Sequence, residues 1–399
     1  MRLEDLHPTH ESFMYLERHL NDGSPSGFSF LYTPTTGFCA KDNTYCFDLP
    51  VFDCSSLGPL DVGGACSLPD RFLPVHPDME SNFTELTGLT PSCFITSSPT
   101  SSGRTLLVTD TATPFYVKVA YQGLLGRVTR NMTNAHVLSA VEVSSVYESA
   151  IKSNELPSTI HIYREHYGMH FDKSSMLSDW GYVERDVHTF PKSGYIEIPG
   201  FSLTASNKIE SGTLFKILLN EVPELRTQDG FFSYFARPLL DLYFSSIIKI
   251  GLQPECHSQN VVFLLNNEYL PVGVALRDME SVDKDLPLIK ERNLDDHFTA
   301  TNYKFLLEGT YNYQIMHSFM YDFKLGEYLL GPLVDGWVEY DGNCRKKNIE
   351  NQIKAYAREY IRSLPCDFFP ENCWYDYEAV VHEGSSKRQY RINPCPRFR

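Results

Sequence analysis

Glu255-Cys256-His257-Ser258-Gln259-Asn260, followed by two short hydrophobic runs and then Arg277-Asp278, is the stretch on which the reading of this chain turns. Gly251 and Pro254 close a helix just upstream. Val261 to Leu265 reads as a strand, Asn266-Asn267 as a turn and Tyr269 to Leu276 as the returning strand. The hairpin so formed carries a carboxylate, an imidazole, two amides and a second carboxylate around its open ends. Such groups can converge on a metal-bound polyphosphate, with Glu255, Asn260 and Asp278 offering the hard oxygen ligands that Mg²⁺ prefers. The competing reading is a turn with a few satisfied polar side chains.

A second cluster lies far upstream. Pro99-Thr100-Ser101-Ser102-Gly103-Arg104-Thr105 is a hydroxyl-rich loop with one fixed cation, leading into Leu106-Leu107-Val108. After a turn at Asp110 to Pro114, Phe115 to Tyr121 forms a strand in which Lys118 is the one charge. A lysine in that position is costly unless it meets an anion. Arg127 and Arg130 follow within a few residues. Hydroxyls, backbone N–H groups, Arg104, Lys118 and these arginines make a cradle for phosphates and carboxylates, spread over residues 101 to 122 and beyond. It is not a Walker A loop, because no G-x-x-x-x-G-K-[ST] occurs.

In their order and spacing these motifs resemble the NRPS-independent siderophore synthetases, the aerobactin-synthetase (IucA/IucC-type) family. The stretches that carry the resemblance are His7-Pro8-Thr9-His10, Leu73-Pro74-Val75-His76-Pro77 and Thr100-Ser101-Ser102-Gly103-Arg104-Thr105. Lys118, Arg130, Glu255 to Asn260 and Arg277-Asp278 complete the set, so that the resemblance covers residues 1 to 280. The resemblance implies ATP-dependent activation of a carboxylic acid, citrate or a citryl derivative, as an acyl-adenylate. Condensation with an amine or hydroxyl nucleophile would follow, in siderophore assembly for iron acquisition. It further implies that Ser102, Arg104, Thr105 and Lys118 hold the triphosphate, that His257 and Gln259 contact the nucleotide phosphates, and that Glu255, Asn260 and Asp278 hold Mg²⁺. Arg130 would stand between phosphates and substrate carboxylate, with His7 or His10 facing the acid. Arg130, His257 and Lys118 are thereby the candidate catalytic groups. The chain departs from the pattern where Glu11-Ser12-Phe13 follows the first motif, and in a shortened N-terminus.

The chemistry is coherent with those residue types. Bringing a carboxylate to an α-phosphate joins two anions, so catalysis rests on charge neutralisation and alignment rather than on a protein nucleophile. A kinase-like phosphotransferase is the alternative of another class, but it needs an Asp base where this chain has Ser258-Gln259. A degenerate relative acting as a binding protein is the third reading.

Bulk properties place the chain among enzymes of small molecules. Net charge is −15 over 399 residues with no Lys/Arg run, which argues against nucleic acid. No run of eighteen apolar residues and no signal-peptide h-region occurs, so the reading is cytoplasmic, with no membrane partner. The cysteines, at 39, 46, 54, 66, 93, 256, 344, 366, 373 and 395, contain no C-x-x-C and are read as thiols. His166 and His170 are spaced i, i+4 but are assigned to packing rather than metal.

The expected architecture is α+β. A mixed N-terminal half, residues 1–230, would bring the carboxylate- and phosphate-binding hairpin, and a more helical, palm-like half, 231–399, the Mg²⁺ hairpin. ATP would lie in the cleft between them, and the family resemblance allows a homodimer. Thr133 to Ala150, Phe235 to Leu252 and Arg345 to Leu364 read as helices packed on one face. Ile160 to Tyr163 and Leu214 to Leu219 are strand or helix without distinction. Residues 21 to 100 read as loops and short strands, and the tail after Pro365 as aromatic and turn-rich.

Overall fold

The computed structural model describes residues 2–22, 38, 46–125, 128–192, 194–205, 212–294, 298, 306–307, 310–342, 345–370, 374–382, 385–393 and 396–399. The chain first builds β1 (Phe47–Asp53), β2 (Leu60–Gly63), β3 (Phe72–Pro74), β4 (Cys93–Pro99), β5 (Thr105–Val108) and β6 (Phe115–Val119). A small ribbon follows, β7 (Tyr121–Leu125) with β8 (Val128–Arg130). Then come β9 (Ile160–Ile162), β10 (Tyr167–His170), β11 (Gly181–Asp186) and β12 (Ile196–Pro199). Beyond them lie β13 (Leu252–Gln253), β14 (Val261–Leu265), β15 (Pro271–Leu276) and β16 (Asp283–Lys284).

An eight-stranded sheet runs β2-β10-β11-β6-β5-β4-β1-β3 with antiparallel neighbours throughout. A four-stranded sheet runs β12-β14-β15-β9, antiparallel except for the parallel pair β15 and β9. Every residue of β14 is buried, as its unbroken Val-Val-Phe-Leu-Leu run requires of a strand covered on both faces. The turn to β15 is held by the Asn266 side chain, whose Oδ1 accepts from the N–H groups of Glu268 and Leu270, each at 3.0 Å.

The helix Asn134–Lys152 packs on β10 and β11 of the large sheet and also meets the turn Met279–Ser281. The helix Arg237–Ile250 packs on β9 and β15 of the small sheet and on β13. It stops at Gly251, whose φ of +67° and close approach to Ile289, 2.2 Å from where a Cβ would stand, leave room only for glycine. Two wide-turned π-helical segments, Phe232–Ala236 and Phe319–Leu330, interrupt the helical C-terminal part.

Three apolar clusters hold these layers. One fills the large sheet, with Phe52, Phe83, Val117, Met169 and Trp180. The largest joins the C-terminal helices to the small sheet and takes in Leu3, Leu6, Leu16 and Leu20 from the first twenty residues. A third, with Phe13, Leu107, Tyr116, Val262, Leu264 and Ala275, lies between β5–β6 and β14–β15. That third cluster sets the two hairpins side by side, with their polar ends together.

The architecture is the mixed α+β type expected from the sequence. Ile160–Ile162 is a strand and Leu214–Glu221 a helix, which settles both ambiguous segments by tertiary context. The helix Glu80–Thr87, with Phe83 buried, falls where loops and short strands were expected. The tail is a correction: Trp374–His382 and Ser385–Asn393 pair as a long antiparallel hairpin rather than as turns. His170 lies on β10, with His166 just before it, so neither is helical; among the described residues no group of His, Cys, Asp and Glu is set to hold a metal ion by itself. Among the described residues no helix is long and apolar enough to cross a membrane.

Candidate functional site

The loop between β4 and β5 is closed by its own hydroxyls. Thr100 Oγ1 donates to the Thr105 carbonyl at 2.6 Å, and Ser102 Oγ accepts from Thr105 N at 2.8 Å. Gly103, at φ +72°, makes the turn that delivers Arg104 to the strand end. Arg104 is buried and donates to the carbonyls of Arg130 and Asn131 at 3.2 and 3.4 Å, and to Glu280 Oε2 at 3.3 Å. Thr105 stands opposite Lys118 across the β5–β6 pair.

Lys118 meets the anion that its burial demands, and the anion belongs to the chain itself. Its Nζ bonds Asp278 Oδ1 and lies 2.6 Å from Glu280 Oε2. Asp278 also accepts from Arg185 Nη2 at 3.3 Å, and Arg185 Nε donates to buried Glu165 at 2.9 Å. Glu165 in turn accepts from Met279 N at 3.1 Å, and His136 Nε2 is 3.7 Å from Glu280. Asp278 has φ +72°, ψ +62°, a left-handed conformation that an aspartate tolerates better than most residues. The ends of β5, β6, β11 and β15 are thus stitched by one network of alternating charge.

The electrostatics follow from that alternation. Burial opposes ionisation of Asp278, but Lys118 and Arg185 outweigh it and hold the carboxyl well below the usual carboxylate range. Burial likewise opposes, and Lys118, His136 and Arg104 outweigh it, at Glu280, which is also held well below that range. Burial pushes His257 down to about 4 against the pull of Glu255, so the ring is neutral near pH 7. Its Nδ1 accepts from Gln259 N at 3.2 Å, which leaves the proton on Nε2, 3.9 Å from Glu255 Oε2. His257 therefore offers a hydrogen-bond donor, not a cation.

The remaining groups named from sequence take these positions. Glu255 faces Lys324 Nζ at 2.7 Å. Asn260 spends its amide N–H groups on the Glu255 carbonyl at 3.2 Å and Ser281 Oγ at 3.1 Å, so Oδ1 is the acceptor that remains to it. Gln259, half-buried, gives its carbonyl to Arg277 Nε at 2.7 Å. Arg130 is exposed, and charge interactions reach it from Arg104, Glu280, Asp278 and Glu255. His7 is exposed and His10, 3.3 Å from Glu11, opens the helix His10–His19. Arg127 lies outside the described residues. Cys256 is buried, and burial pushes its thiol well up, which makes it a packing residue.

Glu165, Arg185, Glu280 and Lys324 belong to the cluster and were not singled out by sequence. Glu280 had a signal, since Asp278-Met279-Glu280 puts two carboxylates on one tight turn. Arg185, like Lys118, is a charge inside a buried strand. Lys324 reaches Glu255 from a π-helical segment whose register no heptad or 3.6-residue pattern reveals.

The donor chemistry suits a divalent cation on a polyphosphate. Mg²⁺ characteristically binds through one or two carboxylates, waters and phosphate oxygens, so it does not require a closed protein cage. Glu255, Asn260 Oδ1 and Asp278 are hard oxygen donors, and Glu255 and Asp278 both act on the His257 ring.

Residues 85–190 match the IucA / IucC family. Over 96% of its length the chain superposes on 74% of the petrobactin biosynthesis protein AsbB from Bacillus anthracis, with a TM-score of 0.68 at 16% identity. The ATP-bound aerobactin synthetase IucA from Klebsiella pneumoniae gives a TM-score of 0.65 at 12% identity, over 85% of this chain and 67% of that one. Aerobactin synthetase IucC from the same organism gives 0.64 at 12% identity, over 88% and 70%. No curated protein matches by sequence.

Proposed function

From an IucA / IucC family region set within the fold shared by those synthetases, we propose that the chain is an ATP- and Mg²⁺-dependent ligase of siderophore biosynthesis. It would adenylate a carboxylic acid, citrate or a citryl derivative, and join it to an amine or hydroxyl nucleophile. The single observation that carries this reading is the meeting of buried Arg104, Lys118 and Arg185 with the half-buried Asp278 and Glu280, beside the His257–Asn260 turn.

In this mechanism the cations do most of the work. Arg104, Lys118 and Arg130 would neutralise the triphosphate, while Ser102 and Thr105 fix the loop that presents them. His257, neutral, would donate from Nε2 to a phosphate oxygen, and Gln259 would add an amide. Glu255, Asn260 and Asp278 would hold Mg²⁺, which when bound supplies charge neutralisation on the phosphates. Arg130, which is exposed, would take the substrate carboxylate, with His7 or His10 on its far side. The carboxylate is already ionised near pH 7, so activation needs no protein base. Residues 1–230 would thus bring the acid and phosphate contacts and 231–399 the metal hairpin.

The test is pyrophosphate release from ATP and Mg²⁺ with hydroxylamine as nucleophile and a panel of carboxylic acids. Acid-dependent pyrophosphate with hydroxamate formation is expected. ADP and phosphate without pyrophosphate would replace ligation by phosphoryl transfer, and ATP binding without turnover on any acid would leave a binding protein.

A further inference from the structure

Glu17 is a buried carboxylate that this mechanism does not use. Glu17, on the helix His10–His19, is 1% exposed, yet its partners lie in two distant parts of the chain. Ser101 Oγ, in the loop before β5, donates to Glu17 Oε1. Arg277 Nη1, at the end of β15, donates to Glu17 Oε2 at 3.0 Å. The same Arg277 donates through Nε to the Gln259 carbonyl, and its guanidinium lies 5.9 Å from the Phe13 ring, one turn before Glu17 on the same helix face.

The consequence is geometric. Ser101 precedes Ser102 and Arg104; Arg277 precedes Asp278 and, through Gln259, fixes the turn that bears His257 and Asn260. Both halves of the cradle therefore hang from the two oxygens of one side chain. A carboxylate is the one side chain of that length that can accept from a hydroxyl and a guanidinium at once without offering a proton of its own. Its charge is matched by Arg277, which is itself buried.

We propose that Glu17 is a positioning residue that sets the spacing between the loop 100–104 and the turn 257–260, coupling both to the N-terminal helix. The inference rests on the nucleotide reading above for its functional meaning, but the coupling itself is a property of the apo chain. The helix that carries Glu17 begins at His10, so the same rigid element would tie the acid-binding end to the nucleotide cradle.

The variants are Glu17→Gln, which keeps shape and loses charge, and Ser101→Ala, which removes one arm only. Amide hydrogen exchange is measured on the free protein, and ATP·Mg²⁺ binding by calorimetry at a temperature where the melting curve shows each variant folded. Glu17→Gln is expected to speed exchange in 100–104 and 257–260 together and to weaken ATP about tenfold. Ser101→Ala is expected to loosen 100–104 alone. Faster exchange confined to residues 10–19, with both cradle segments protected as in the wild type, overturns the proposal. If the wild-type chain binds no ATP but Glu17→Gln still loosens both segments, the nucleotide reading fails and the coupling stands. If the wild type binds ATP and Glu17→Gln binds it equally with unchanged exchange, the coupling fails and the nucleotide reading stands.

Discussion

Arg104 serves two masters, and a substitution there must be read accordingly. Its guanidinium satisfies the carbonyls of Arg130 and Asn131 as well as pairing with Glu280. Arg104→Ala is expected to lower ATP-dependent turnover by about a hundredfold or more, and to cost about 1–3 kcal/mol of stability from the carbonyls and carboxylate it leaves. Near-normal turnover would remove Arg104 from the cradle. Asp278 permits a cleaner experiment, because Asn accepts its left-handed backbone. Asp278→Asn keeps that backbone but removes the counter-ion of Lys118 and Arg185, so it is assayed where its melting curve shows it folded; the Mg²⁺ needed for half-maximal rate should then rise about tenfold, and an identical metal titration would sink that assignment. Residues of this kind are visible in a sequence when they break a local rule. Lys118 stood out as a charge in an apolar strand, and the structure supplies its anions. Arg185 broke the same rule, but Glu184 and Asp186 beside it made it resemble an ordinary charged strand end. Lys324 broke no rule at all. Its partnership with Glu255 spans elements that only the folded chain brings together.

At the scale of elements, the readable parts were those with a capping residue or an unbroken pattern. The β14–β15 hairpin has its Asn266 turn, and the helix Arg237–Ile250 has Gly251 at its end. Gly251→Ala would place a methyl group against Ile289 in a backbone region alanine avoids. The expected loss is about 2–4 kcal/mol, read as a lowered denaturation midpoint. A melting curve that matches the wild type would show that the helix end can shift. The elements that escaped were those without local punctuation. The hairpin Trp374–His382 with Ser385–Asn393 sits in a stretch whose charges and aromatics alternate poorly, so its pairing is decided by partners and not by pattern. The π-helical stretch Phe319–Leu330 has no sequence signature in period, yet Tyr321 and Asp322 on it hold the Phe398 carbonyl and Arg399, both at 2.9 Å.

For the whole molecule, the half-buried Glu197 and the buried Asp322 shape the alkaline side of the pH response. Burial raises Glu197 to about 7, against the hydroxyl of Tyr163 and the backbone of Thr189, and raises Asp322 to about 6 against Arg399. Raised carboxyls bind protons better in the folded state, so their contribution is complete below the ordinary carboxylate range and is lost as pH climbs through 6 to 7. Asp278 and Glu280 act in the opposite sense, and their contribution is lost as pH falls below that range. Stability should therefore peak on the acid side of neutrality. Glu197→Gln should flatten the decline toward pH 8 by no more than about 3 kcal/mol. Denaturant melts of both proteins between about pH 5 and 8 decide it, and parallel profiles would exclude Glu197. The largest apolar cluster has a different consequence, in time rather than in energy. Leu3, Leu6, Leu16 and Leu20 share it with Leu239, Ile247, Phe263 and Leu276, so these leucines leave the ribosome long before the surfaces that cover them exist. At common elongation rates they wait tens of seconds, and the helix that carries Leu16 can dock only once the later surfaces it packs on have been made. Among the members of this cluster these leucines stay uncovered longest during synthesis, and a chaperone that binds short leucine-rich segments would find its target there.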